Sequence, residues 1–134
     1  MDNKIKLLSV CKKKPKKENI NNWSKIVERY APNMYELLFS AGEKDVLKEV
    51  EDSSPEIILI LPSVMQKDIM DGVELLQKIK HLSPKSQVFV NLGVVDEEQE
   101  AIDLFMANGA YKCYLPPIVM DSLFHDMYVA LNLE

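Results

Sequence analysis

Short runs that are apolar at nearly every position alternate along this chain with longer stretches in which apolar residues recur every three or four. The first run, IKLLSVC at 5–11, has little helical periodicity and predicts a strand. NINNWSKIVERY at 19–30 sets Ile20, Trp23, Ile26, Val27 and Tyr30 on one helical face, and Pro32 ends that helix. YELLF at 35–39 predicts a second strand and SAG a turn. EKDVLKEVED at 43–52 predicts an amphipathic helix burying Val46, Leu47 and Val50, broken by Pro55. IILIL at 57–61 has no polar alternation, the pattern of a central parallel strand covered on both faces. Asp71 is expected to cap a helix over 72–82, with Val73, Leu75, Leu76, Ile79 and Leu82 as its inward stripe. QVFVNL at 87–92 predicts a fourth strand. Asp96 and Gln99 have capping-box spacing, Ala101, Ile102, Phe105 and Met106 line the helix that follows, and Asn108-Gly109 stops it. KCYL at 112–115 predicts a fifth strand, and Pro116-Pro117 separates it from a last helix over about 120–132 with Leu123, Met127 and Leu131 inward.

Strand and helix thus alternate through five units with short connections, which requires parallel strands with crossover helices on both faces. Five units in 134 residues predict a single α/β domain, a flavodoxin-like (βα)5 sandwich with strand order 2-1-3-4-5. Sites in such sheets lie at the carboxyl ends of the strands, so the informative loops follow the first, third, fourth and fifth strands.

Composition narrows the class without naming a function. The apolar fraction of 47% and charged fraction of 28% are those of an ordinary globular protein. No apolar run is long enough for a membrane span or a signal peptide, so a cytoplasmic protein is expected. The closing Leu-Glu is the kind of scar left when a domain is cut from a longer protein. Cys11 and Cys113 form neither a disulfide framework nor a metal cluster and are expected to act as small buried hydrophobes. The net charge of −5 hides an asymmetry: residues 1–30 hold nine Lys/Arg against three Asp/Glu, and the remainder seven against eighteen. The basic excess is mostly the loop KKKPKK at 12–17, a solvated loop by default and an anion site in the sharper interpretation.

SSPEIILIL, DGVELLQKIKHLSPKSQVFV and DEEQEAIDLFMANGAYKCYLPP, in this order and at this spacing, make the chain resemble nearly end to end the receiver domain of bacterial response regulators, the CheY-like superfamily. The loop at 62–70 is about three residues longer than that resemblance implies. A working receiver moves a phosphoryl group from a histidine kinase to its own aspartate. That chemistry needs a carboxylate nucleophile, acidic residues for Mg²⁺, a hydroxyl, and a lysine to neutralise phosphoryl oxygens.

The resemblance places other residues at those positions. Counting from Pro55-Glu56, Leu61 stands at the phosphoacceptor. Counting back from Pro15, Lys12, Lys13 and Lys14 stand where acids would hold Mg²⁺, so the local charge is reversed. Leu92, or Asn91 with a slip of one, takes the hydroxyl position, and Pro116 takes that of the lysine. The aromatic switch position falls on Cys113, beside Tyr114. The resemblance also implies a cis bond at Pro116-Pro117. Asp68 in the long loop is a poor substitute acceptor without a metal site, and Lys12 and Lys13 are expected to be solvated or paired with Asp68 or Asp71. His81, His125 and Ser63 have no partners at catalytic or ligand spacing, and four glycines build no phosphate loop.

A degenerate, non-enzymatic receiver is therefore expected, with no cofactor and no metal. It would contact a signalling protein, an attached domain or a second copy of itself through the fourth helix, fifth strand and fifth helix. On that face the candidates are Met106, Asn108, Tyr111, Tyr114, Met120, Phe124 and Tyr128, some of which the core must claim. The alternatives are a small anionic ligand or nucleotide sensor using the Lys12–Lys17 loop, and a phosphorelay receiver with a non-standard aspartate. No nucleic-acid or membrane partner is expected from an acidic chain without a helix-turn-helix or an apolar span.

Overall fold

The computed structural model describes residues 4–131. Five parallel strands, β1 (Ile5–Cys11), β2 (Tyr35–Ala41), β3 (Ile57–Ile60), β4 (Gln87–Asn91) and β5 (Lys112–Tyr114), form one sheet in the order β2-β1-β3-β4-β5. The helices α1 (Lys17–Tyr30), α2 (Glu43–Ser53), α3 (Ile69–Leu82), α4 (Glu98–Ala107) and α5 (Met120–Ala130) alternate with them. This is the flavodoxin-like topology that the alternation requires. The expected extension of the last helix to residue 132 and the Leu-Glu at 133–134 lie outside the described residues.

All four residues of β3 are buried, as a run without polar alternation demands. Its side chains alternate between two cores. Ile58 and Ile60 join Leu8, Val10, Val46, Leu76, Ile79 and Phe105 beneath α2, α3 and α4. Ile57 and Leu59 join Leu7, Val27, Phe89, Leu123 and Met127 beneath α1 and α5. A one-residue slip of any inner strand would exchange these two sets, and the parallel register of β1 with β2 and β3, and of β3 with β4, is fixed by that burial.

Several local expectations are corrected. The cap of α3 is Asp68, not Asp71: its carboxylate accepts the Met70 N–H at 2.9 Å. The helix starts three residues early because the 62–70 segment is not an open loop. Pro62–Met65 forms a 3-10 turn, which leaves Asp68 extended and able to reach back over the first turn. Asp71 sits exposed inside that first turn. The capping box of Asp96 and Gln99 is not made. The N-cap is Glu97, without a side-chain bond, and Gln99 donates forward to Asp103 at 2.8 Å. Leu82 leaves the inward stripe and is 40% exposed, because the chain exits the helix at Ser83. Met106 likewise faces outward.

The 3-10 turn is tied into the core. Met65 is buried, and a Cβ on Gly72 would stand 2.5 Å from its Sδ and 3.0 Å from Phe105 Cζ. Gly72 is thus the seat on which the 3-10 turn packs.

Candidate functional site

The carboxyl ends of the strands bring together the residues expected there. Leu61 follows β3, half-buried against the α1/α5 core, and its N–H still bonds the Val10 carbonyl at 3.0 Å. The ordered strand ends one residue before it. Leu92 is buried and donates to the Tyr114 carbonyl at 2.9 Å, a structural role with no reactive group. Asn91 turns its carboxamide oxygen onto the Gly93 N–H at 3.2 Å. Gly93 has φ +70°, and a Cβ there would lie 2.8 Å from Pro62 Cβ, so the β4–α4 loop crosses directly over the start of the 3-10 turn. The Pro116-Pro117 bond is cis.

Lys12, Lys13 and Lys14 are exposed. The Lys12 backbone N–H donates to Ser63 Oγ at 3.2 Å, which gives Ser63 a positioning role between the β1 and β3 ends. The pairing of Lys12 or Lys13 with Asp68 or Asp71 is not formed. The two ion pairs among the described residues are Lys78–Glu43 and Lys112–Asp126, each at 2.7 Å. Lys12 and Asp71 share one cleft without closing on each other, since exposed partners gain too little to fix two flexible side chains. Lys12, Lys13 and Lys14 also line a second cleft of about 510 Å³ with Pro15, Phe39 and Asp45. Among the described residues no three His, Cys, Asp or Glu side chains are arranged to hold a metal ion. No helix of the described residues is long and apolar enough to cross a membrane.

The expected contact face is reduced by burial. Tyr114 is not a surface residue: its ring stacks on Phe89 with centroids 6.3 Å apart, and its hydroxyl donates to Asp126 Oδ2 at 2.7 Å. Burial, followed by the bond to Asp126, pushes the Tyr114 phenol far above its usual range. Phe124 is also core, stacked on Tyr30 at 5.3 Å and packed near Trp23 and Tyr35. Met120 packs against the same cluster. Asn108 is spent locally, holding the Leu104 carbonyl and the Gln77 carboxamide at 2.8 Å each. Met106, Tyr111 and Tyr128 remain exposed.

Asp126 is a residue the sequence pattern did not point to. It accepts from both Lys112 and Tyr114, linking β5 to α5. Burial raises its carboxyl, but the bonds from Lys112 and Tyr114 outweigh that and hold it below its ordinary value. The available signal was the alternation of Lys112 and Tyr114 on one face of β5; the helix partner twelve residues on depends on how α5 crosses the sheet. Cys11 is buried and its thiol is pushed up by that burial. Cys113 is half-buried and pushed up to about 11 by the same cause. Neither is poised as a thiolate.

No family model matches this chain. No curated protein matches it either. Solved structures do resemble it. A response regulator from Thermotoga maritima aligns with a TM-score of 0.75 at 14% identity, over 96% of this chain and 98% of that one. A CheY-like response regulator receiver domain protein from Methanospirillum hungatei JF-1 gives 0.74 at 18%, over 97% and 95%. A two-component response regulator from Clostridium difficile gives 0.74 at 14%, over 96% and 97%. At these identities the likeness is one of architecture, and the fold of this chain is that of the CheY-like response regulator receiver domains.

Proposed function

We propose that this chain is a signal-transduction module of receiver type that acts by protein–protein contact without phosphotransfer. The observation that carries this is Leu61 at the end of β3: an alkyl side chain, half-buried against the α1/α5 core, offers no atom that can attack phosphorus. The neighbouring positions support it. Lys12 and Lys13 would repel Mg²⁺, and Leu92 and Pro116 supply neither hydroxyl nor cation. The partner is a second protein, an attached domain or a second copy, met through the exposed Met106, Tyr111 and Tyr128 near α4, β5 and α5. Incubation with Mg²⁺ and acetyl phosphate, followed by intact-mass measurement, should show no added phosphoryl group; a Mg²⁺-dependent gain would overturn the proposal. Self-association is measured by sedimentation of the parent and of a Met106→Ser, Tyr111→Ser, Tyr128→Ser variant, which should be the more monomeric of the two if the copy is the partner.

An anion-sensing role is the second function in contention, favoured by the lysine-lined cleft beside the β1 end.

A further inference from the structure

The α1/α5 side of the sheet holds a cavity of about 250 Å³ that the contact-module function does not use. Ser9 of β1 lies in its floor, between Leu7 and Cys11 on the same face of the strand. A serine there, among Leu59, Leu61 and Leu123, leaves space that a larger aliphatic side chain would fill. A cavity of roughly 150 Å³ lined by aliphatic and aromatic side chains admits benzene. The present one has room for a ring with a short chain. Its walls are chiefly apolar, with Ser9, Asn19 and Asn91 as the polar residues, the arrangement expected of a small-molecule site.

Two further observations bear on what would enter. Trp23 lines the cavity, and its Nε1 is buried without an acceptor among the described residues. With essentially no exposed surface, that nitrogen is closed off by the protein, so what Trp23 offers an entering molecule is ring carbon and not a donor. Pro15 and Phe39 belong to the walls of both this cavity and the cleft lined by Lys12, Lys13 and Lys14, so the two adjoin. Asp45 is the one carboxylate residue lining that cleft, against three lysines.

We propose that cavity and cleft together bind a small carboxylate with an apolar body, an arylalkanoate or a branched-chain acid: the apolar part fills the cavity and the carboxylate meets the lysine cleft. The proposal deepens the anion-sensing alternative and does not depend on the contact function. It places the apolar cavity at the end of the sheet where a working receiver keeps its acids, with specificity set by the volume over Ser9 rather than by charge alone.

The chain has one tryptophan, so Trp23 emission and its indole N–H cross-peak report on the cavity directly. The probe is 3-phenylpropionate, with 3-phenylpropanamide as its neutral counterpart. Saturable changes in both signals are expected at probe concentrations up to the order of 10 mM, as befits a fragment-sized ligand. Ser9→Leu and Ile118→Phe should each fill part of the cavity and weaken binding about ten-fold. Ile118 lies in the loop before α5, so that variant keeps the test open if Ser9→Leu fails to fold. The triple change Lys12→Gln, Lys13→Gln, Lys14→Gln should weaken the acid at least about threefold and leave the amide unchanged. No saturable signal in the parent protein, or binding undiminished in a folded filling variant, would overturn the site. Equal binding of acid and amide would overturn the carboxylate assignment.

Discussion

Replacing Gly72 by alanine tests whether the 62–70 segment is packed as the structure shows. Alanine in a helix interior is ordinarily favourable over glycine by about 1 kcal/mol. Here the new Cβ would stand 2.5 Å from Met65 Sδ, 2.6 Å from Met65 Cγ and 3.0 Å from Phe105 Cζ. Phe105 is fully buried and cannot retreat, so Met65 must move. Overpacking of this kind costs about 1–3 kcal/mol, which offsets or exceeds the helical gain and leaves Gly72→Ala destabilising by up to about 2 kcal/mol. Met65→Ala alone removes a buried thioether chain and should cost about 2–4 kcal/mol. In that background the Met65 clash is gone and only the 3.0 Å approach to Phe105 Cζ remains, so Gly72→Ala should become stabilising by up to about 1 kcal/mol through propensity and partial filling of the hole. The assay is urea unfolding of the four proteins, with midpoints compared at constant slope. The sign reversal between backgrounds is the prediction. Stabilisation by Gly72→Ala in the parent chain would refute the packing of Met65 on Gly72, and with it the docking of the 3-10 turn.

Tyr114→Phe should cost about 0.5–1.5 kcal/mol and raise the Asp126 pKa, because the Tyr114 hydroxyl donates to that carboxylate. The folded pKa of Asp126 is depressed, so its stabilising contribution is complete above the unfolded carboxyl pKa and is lost as pH falls through the lower folded value. Urea midpoints across the acid range should therefore fall more steeply with decreasing pH in the parent than in Asp126→Asn, and parallel profiles would count against the link. Gly93→Ala places a Cβ at φ +70° and 2.8 Å from Pro62 Cβ, and should lower stability by about 1–2 kcal/mol; a neutral result in thermal unfolding would show that the β4–α4 loop does not press on Pro62.

Much of the fold was legible in the pattern of apolar positions. IILIL has the pattern of an inner strand, of which β3 takes the first four residues, and the periodic stretches between strands read as crossover helices once the connections were short. Helix starts were less legible. Asp68 and Asp71 are both acceptable caps by composition, and the choice turned on whether Pro62–Met65 coils or extends. The contact face was legible only as a mixed set. Tyr114 and Tyr128 look alike in sequence, yet one is claimed by Phe89 and Asp126 and the other stays exposed.

The sequence by itself determined the topology and the identity of the residues at the strand ends. Periodicity is a local property, and the side chains of Leu61, Lys12, Lys13, Leu92 and Pro116 carry their chemistry, or lack of it, wherever they sit. Only the tertiary structure decided which polar groups meet. Ser63 with Lys12, Asp126 with Tyr114, and the alignment of Ser9, Trp23 and Asn91 around one cavity join residues far apart in the chain. Such meetings depend on helix crossing and on the volume left between packed layers, and neither is written in the spacing of any single segment.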